Sequence, residues 1–128
     1  MMSLYSLIAN EIRVILSEKV KKLAFDPAID TGYFLAPNLT NGRSYWVDSE
    51  KKFAIWSSSS GRWHLSRFSN LGNDNAATLF TDEGKDLLPF QITDGWQFYD
   101  KNEKSWKLGS NYDIVIATVF NGNKHFGF

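Results

Sequence analysis

The sequence predicts an α+β domain that is mainly β, in which an N-terminal amphipathic helix packs on a curved antiparallel sheet or partial barrel. Apolar residues recur at three- and four-residue steps over residues 3–25, which is the spacing of one face of a helix. After residue 32 the period changes to two, and short apolar segments alternate with turns rich in Gly, Asn, Asp and Ser. These segments hold all five tryptophans, which predicts a β-rich domain with an aromatic core.

Length and composition indicate one domain over residues 1–128. A chain of 128 residues has the usual size of a single domain and can bury a core without disulfides. The sequence contains no cysteine, which excludes disulfides, thiolate metal sites and thiol nucleophiles.

The first predicted element is a helix over residues 3–25. Lysines fill its last turn, where positive charge suits the helix dipole, and Asp26-Pro27 ends it, because a residue before proline is pushed out of helical geometry. Three roles are open for this helix: packing across the sheet, association with a second copy or a partner helix, or contact with a membrane surface. Its apolar stripe consists of Leu4, Ile8, Ile12, Ile15 and Leu23.

Seven strands are predicted in a Trp-rich β module over residues 33–108, and turns set their ends. Asn41-Gly42 is a strong two-residue hairpin signal, and residues 57–61 form a small, flexible turn. The predicted strands span residues 33–36, 43–47, 53–56, 62–65, 76–80, 96–99 and 105–108.

A C-terminal hydrophobic strand and hairpin are predicted over residues 112–128. Residues 114–120 are apolar at nearly every position, so we expect a strand covered on both faces, at the centre of the sheet. Asn121-Gly122 then provides a turn for a return strand over residues 125–128.

The order of aromatic and glycine residues between 33 and 108 resembles a known module. A hydrophobic-Trp pair is followed by Gly-x-Trp and later by Trp-x-Tyr and a last Trp; the residues are Ile55-Trp56, Gly61-Arg62-Trp63, Trp96-Gln97-Phe98-Tyr99 and Trp106. This pattern is similar to a Trp-rich all-β module found, often in tandem, in large multidomain eukaryotic proteins. The resemblance implies a binding or structural module and no catalytic residue. The chain departs from the pattern because it has one copy, an added N-terminal helix and an added C-terminal strand.

Charge and hydropathy exclude some classes of partner. Lys plus Arg equals Asp plus Glu, 14 each, so the formal net charge is zero, which argues against nucleic acid and acidic membranes. No apolar stretch approaches the length of a membrane span. The N-terminus lacks the basic segment of a signal peptide, and we therefore expect a soluble protein, with the cytoplasm as the favoured compartment.

No constellation of residues predicts catalysis. The two histidines, His64 and His125, each lie beside aromatic residues in a predicted strand, and no nucleophile or phosphate-loop motif is present. With no cysteine and no close His/carboxylate spacing, the sequence predicts no metal site, no cofactor and no enzyme.

The candidate ligand-binding residues are aromatic and polar side chains that flank turns or share a strand face. If Trp63 points inward, His64 points outward, and Trp96 inward likewise puts Gln97 and Tyr99 outward. By the same parity Trp56, Trp63 and Trp96 belong to the core, whereas Trp46 and Trp106 are candidates for display. The full set is Arg43, Tyr45, Trp46, Arg62, His64, Gln97, Tyr99 and Trp106.

Two functions are open on these grounds. The first is a non-catalytic interaction module that binds a protein partner or self-associates, through the N-terminal helix or the aromatic sheet face. The alternative is a small lectin-like domain that binds a saccharide on exposed aromatic rings. An enzyme of unrecognised type is a third, less supported hypothesis.

Overall fold

A computed structural model describes residues 8–81 and 86–119, and its nine strands form one antiparallel sheet that curls into a half-barrel. Strands β1 to β8 follow one another as a meander, and β9 returns to pair with β1 at the other end of the sheet. The strands are β1 (Glu11–Leu16), β2 (Gly32–Thr40), β3 (Arg43–Asp48), β4 (Phe53–Ser57), β5 (Trp63–Arg67), β6 (Leu79–Thr81), β7 (Trp96–Asp100), β8 (Ser105–Leu108) and β9 (Ile114–Thr118).

The helix predicted over residues 3–25 is wrong over residues 11–16, which form strand β1 between β2 and β9. Ile12, Val14 and Leu16 are buried and alternate with more exposed neighbours, which is the period of a strand. The apolar spacing fits a helix equally well, but Ile12, Val14 and Ile15 are β-branched and favour extended backbone. Residues 3–7 lie outside the described residues.

One short α-helix, α1 (Glu18–Leu23), follows β1 directly. The Ser17 hydroxyl accepts a hydrogen bond from the Val20 N–H at 3.2 Å and caps the helix. Val20 is fully buried, and the Leu23 carbonyl accepts a bond from the Lys101 N–H at 2.9 Å, which ties α1 to the turn after β7. In the part of the chain that the structure describes, no helix is long and apolar enough to cross a membrane.

The sheet has two differently covered faces, which the register of β3 to β7 defines. Trp46 pairs with Ile55, and the row continues through Leu65, Leu79 and Phe98 on the inner face, inside the curl. The next row lies on the outer face and contains Trp56, His64, Phe80 and Gln97. The predictions that Trp56, Trp63 and Trp96 are buried are confirmed.

The C-terminal strand is confirmed over Ile114–Thr118, where it pairs with β1. The expectation that it lies at the centre is wrong for the described residues, in which β9 ends the sheet. The expectation that both of its faces are equally covered is also wrong: Ile114 and Ile116 are buried, whereas Val115 and Ala117 on the other face are half-buried. Residues 120–128, including the predicted return strand, lie outside the described residues.

The β3–β4 turn is built on one buried carboxylate. Asp48 Oδ1 accepts hydrogen bonds from the backbone N–H groups of Lys52 and Phe53, both at 2.7 Å, and Oδ2 accepts one from Glu50 at 3.2 Å. This carboxylate satisfies donors that a tight turn would otherwise leave unpaired near the core.

We expect Asp48→Asn to lower the free energy of unfolding by about 1–2 kcal/mol, because it weakens the Oδ1 bonds and turns the Glu50 acceptor into a donor. Asp94→Asn removes a charge from an exposed position and should change the same quantity by less than about 0.5 kcal/mol. Urea denaturation of both variants measures the difference, and equal midpoints would refute the role given to Asp48.

Candidate functional site

A row of aromatic side chains, here called the aromatic row, crosses the outer face from β4 to β8. His64 lies 4.9 Å from Trp56 and 6.5 Å from Phe80, measured between ring centroids. Trp106 meets Phe80 at 4.7 Å and Tyr99 at 5.5 Å, both nearly edge-to-face. The row contains Trp56, His64, Phe80, Trp106, Tyr99 and Phe25.

The aromatic row passes from buried to exposed along its length. Trp56 and His64 are buried, Phe80 and Tyr99 are half-buried, and Trp106 is 41 % exposed. Phe25, which follows α1, is 64 % exposed and stacks on Tyr99 with ring planes 10° apart. Apolar rings that stay exposed beside polar groups mark a surface available for contact.

A concave surface of about 570 Å³, the main groove, opens beside the exposed end of the aromatic row. Strand β6 lies between β5 and β7 and has three residues. The chain before β6 leaves the sheet, and the main groove lies where β6 no longer separates β5 from β7. The apolar wall consists of Phe25, Tyr99 and Trp106, and the polar wall includes Ser66, Asn70 and Asn75. The residues just before β6, 76–78, line the remainder.

An ion pair fixes the polar end of the main groove. Arg67 Nη2 lies 3.2 Å from Asp26 Oδ1, and both side chains line the groove. Such an exposed pair contributes little stability, but it holds two planar polar groups in place with no net charge.

A second concavity of about 240 Å³, the side pocket, adjoins the main groove. Both are lined by Asn75, Ala77 and Trp106, so the Trp106 ring lies between them. The side pocket is further lined by Arg62, His64, Asp74 and Phe80.

His64 is held in one orientation within the side pocket. Its Nδ1 lies 2.9 Å from the Ala76 carbonyl oxygen, which can only accept, so Nδ1 carries the proton. Burial lowers the pKa of His64, because the imidazolium form loses hydration, and the charge of Arg62 acts in the same direction. The Ala76 bond and Asp74 oppose this shift. His64 is therefore neutral near pH 7.

Charges of both signs border the side pocket. The Arg62 guanidinium lies 4.8 Å from the centroid of the Phe80 ring. The Asp74 carboxylate accepts bonds from the Ser59 N–H and hydroxyl, and these bonds lower the pKa of Asp74. Asp74 is therefore ionised near neutral pH and balances Arg62.

Of the eight predicted site residues, four line the two concavities, and a fifth lies on the same face beside them. Arg62, His64 and Trp106 line the side pocket, and Tyr99 lines the main groove. Gln97 lies on the same face, opposite Phe80.

The prediction that Trp46 is exposed for ligand contact is wrong. Tyr45 and Arg43, which the sequence also predicts as ligand-binding residues, line neither the main groove nor the side pocket. Trp46 is fully buried, and its Nε1 donates to the Ala9 carbonyl at 2.8 Å. Tyr45 is buried and donates its hydroxyl to Asn38. Arg43 stacks over the Trp63 ring at 4.5 Å and donates to the Leu87 carbonyl.

Sequence reasoning missed several residues that line the two concavities. The predicted helix over residues 3–25 includes Phe25, and Phe80 lies in a predicted strand whose faces the sequence does not distinguish. Arg67 is the last residue of β5, beyond the end of the predicted strand 62–65, and the others lie outside the strands, where strand parity gives no direction; they are Asp26, Asn70, Asp74 and Asn75.

The described residues show no metal cluster: nowhere among them do three His, Asp or Glu side chains converge as ligands would. Comparisons with protein-family models, with curated proteins and with solved structures return no match for the chain. The geometry of the two concavities is therefore the basis for any assignment of function.

Proposed function

We propose that this protein is a non-catalytic binding domain that recognises a neutral oligosaccharide in the main groove and the side pocket. The observation that carries the proposal is the position of Trp106, an exposed indole between two concavities that both offer polar groups. Of the two functions that the sequence leaves open, the lectin-like one is better supported by this arrangement.

The size and lining of the main groove suit a sugar. Its volume of about 570 Å³ lies in the range of ligand sites, which is about 300–1,000 Å³. The face of an aromatic ring is negatively polarised and attracts the C–H groups on one side of a pyranose. The hydroxyl groups at the sugar's edge then meet Asn70, Asn75 and the Asp26–Arg67 pair.

The charge balance favours a neutral ligand. Arg67 is paired with Asp26 in the main groove, and Arg62 is balanced by Asp74 in the side pocket. A nucleic acid or a polyanion would require an excess of positive charge, which neither concavity has.

The resemblance to a Trp-rich β module supports the same general role. That resemblance implies a binding or structural unit without catalytic residues, and the proposed groove supplies a surface through which such a unit would act.

Titration with neutral hexasaccharides tests the proposal. Trp106 is 41 % exposed whereas the other four tryptophans are buried, so collisional quenching by iodide reports on Trp106. We expect at least one of cellohexaose, chitohexaose, xylohexaose, maltohexaose or mannohexaose to bind and to reduce this quenching. The proposal fails if none of them binds at millimolar concentration by calorimetry or changes the quenching.

A second candidate function, addition of an extended peptide strand to β8, is favoured by the edge of the sheet. The Gly109 N–H donates to the Trp96 carbonyl at 2.9 Å, so these two residues form a hydrogen-bonded pair between β7 and β8. Phe98 and Lys107, two residues further along each strand, form the next such pair. Because hydrogen-bonded and non-bonded pairs alternate, Trp106 and Leu108 direct their backbone groups away from β7. Among the described residues, β8 has no strand on that side.

A further inference from the structure

We infer that the side pocket binds a sugar unit through a hydroxyl group that donates a hydrogen bond to Nε2 of His64. This inference rests on the proposed function, and it specifies which chemical group the side pocket selects: a neutral donor and not an anion.

The tautomer of His64 leaves one ring nitrogen as an acceptor. Nδ1 donates to the Ala76 carbonyl at 2.9 Å, so in the neutral imidazole Nε2 carries the lone pair. A hydroxyl group can satisfy this lone pair, whereas a carboxylate or sulfate oxygen, itself an acceptor, cannot.

His64 is almost entirely buried, with 3 % of its surface exposed, and yet it lines the side pocket. Among the side chains of residues 8–81 and 86–119, Trp96 Nε1 is the one buried nitrogen or oxygen without a partner, so Nε2 of His64 is not sealed from solvent and is reached from the side pocket. A ligand hydroxyl in the pocket would take the place of water as the donor to this lone pair.

The surroundings keep the imidazole neutral and the pocket uncharged overall. The ionisable groups that face His64 are Arg62, just before β5, and Asp74, in the loop before β6. Its neighbours on β4 and β6 are Trp56 and Phe80, which have no ionisable group. Burial and the Arg62 guanidinium both disfavour a positive charge on the ring.

The two concavities adjoin each other, and we infer that one ligand reaches both. They share Asn75, Ala77 and the ring of Trp106. A chain whose one unit stacks in the main groove can place the next unit in the side pocket. We therefore expect the side pocket to add affinity for di- and longer oligosaccharides but not for monosaccharides.

The pH dependence of binding gives the first test. Protonation converts Nε2 from an acceptor into a donor. Above about pH 7 the ring is neutral, so the affinity for the neutral hexasaccharide that binds the wild type should be constant. Below the pKa of His64, which is lowered from its usual 6.5, affinity should fall by up to about tenfold per pH unit. His125→Asn removes the chain's other histidine and should leave this profile unchanged, and circular dichroism checks that the protein stays folded.

Two substitutions of His64 distinguish the role of Nδ1 from the role of Nε2. His64→Asn keeps a donor for Ala76 but removes the Nε2 acceptor, and we expect about fivefold to fiftyfold weaker binding at pH 7.5, without pH dependence. His64→Gln keeps an acceptor near Nε2 and should bind more tightly than His64→Asn. If either variant does not fold, the nitrogen NMR shift of Nε2 in the wild type, titrated with the hexasaccharide, decides instead, because a hydroxyl donor would move it.

The outcomes distinguish this inference from the proposed function. If a hexasaccharide binds but His64→Asn binds it equally well and the Nε2 shift does not move, the inference is overturned and the proposed function stands. Tighter binding of hexagalacturonate as the pH falls would also overturn it, because that result requires a protonated Nε2. If no hexasaccharide binds to the wild type, the proposed function fails and the inference fails with it.

Discussion

Replacing Trp46 by alanine is expected to lower the free energy of unfolding by about 3–5 kcal/mol. The indole is fully buried on the inner face, 6.1 Å from the Trp63 ring and 6.4 Å from Phe90, measured between centroids. Its Nε1 donates to the Ala9 carbonyl at 2.8 Å and so fixes the chain that leads into β1. The substitution would leave a cavity between three elements and an unpaired carbonyl group.

Urea denaturation of Trp46→Ala and two matched variants measures this effect. Trp46→Phe keeps an aromatic ring but loses the bond to Ala9, so we expect an intermediate loss of about 1–3 kcal/mol. Trp106→Ala removes the same side chain from the outer face and should cost only about 1–2 kcal/mol, because the ring is partly exposed and packs on two aromatic neighbours. Equal losses for Trp46→Ala and Trp106→Ala would contradict the assignment of Trp46 to the core.

The position of Trp46 could not be predicted from the sequence, because both faces of β3 are apolar. Tyr45, Trp46 and Val47 are consecutive, and parity requires only that Trp46 and Val47 face opposite ways. The outer face near Tyr45 is covered by Phe68 and Leu71, which follow β5 in the chain. That cover depends on a contact distant in sequence, and no local pattern indicates it.

The strands between residues 33 and 108 were predictable because turns mark their ends. Asn41 and Gly42 both have positive φ, 53° and 78°, as a two-residue hairpin turn requires, and they join β2 to β3 as expected. The N-terminal segment had no such mark. Its apolar residues fit both periods, and the pairing of β1 with β2 and β9 decided the outcome in favour of a strand.

The candidate site was predictable only where it lies on strands. Alternation placed His64, Gln97 and Tyr99 on one face, and the register confirms that His64 and Gln97 share a row. The polar wall of the main groove comes from the end of β5, which carries Ser66, and from the chain between β5 and β6, which carries Asn70 and Asn75. Loop side chains such as Asn75 have no period from which a direction could be inferred.

Replacing Trp106 by alanine is expected to weaken binding of a neutral hexasaccharide by at least about 30-fold, or about 2 kcal/mol. Trp106 lines both concavities, so its removal takes away the stacking surface of two adjacent sugar units together. Tyr112→Ala is the matched control, because Tyr112 is 86 % exposed and lines neither concavity; it should leave affinity unchanged. Calorimetry with the hexasaccharide that binds the wild type measures both.

Leu108 separates the saccharide proposal from strand addition at β8. Its side chain is 65 % exposed and lines neither concavity, while its backbone faces the open edge next to that of Trp106. Leu108→Pro removes the edge N–H and should abolish strand addition, but it should change hexasaccharide affinity by less than about threefold.

If Trp106→Ala left hexasaccharide affinity intact, the aromatic row would be a packed sheet surface and not a binding platform. If a partner peptide were lost with Leu108→Pro and retained with Trp106→Ala, the edge of β8 would be the functional surface, because only a backbone interaction depends on Leu108 and not on the indole.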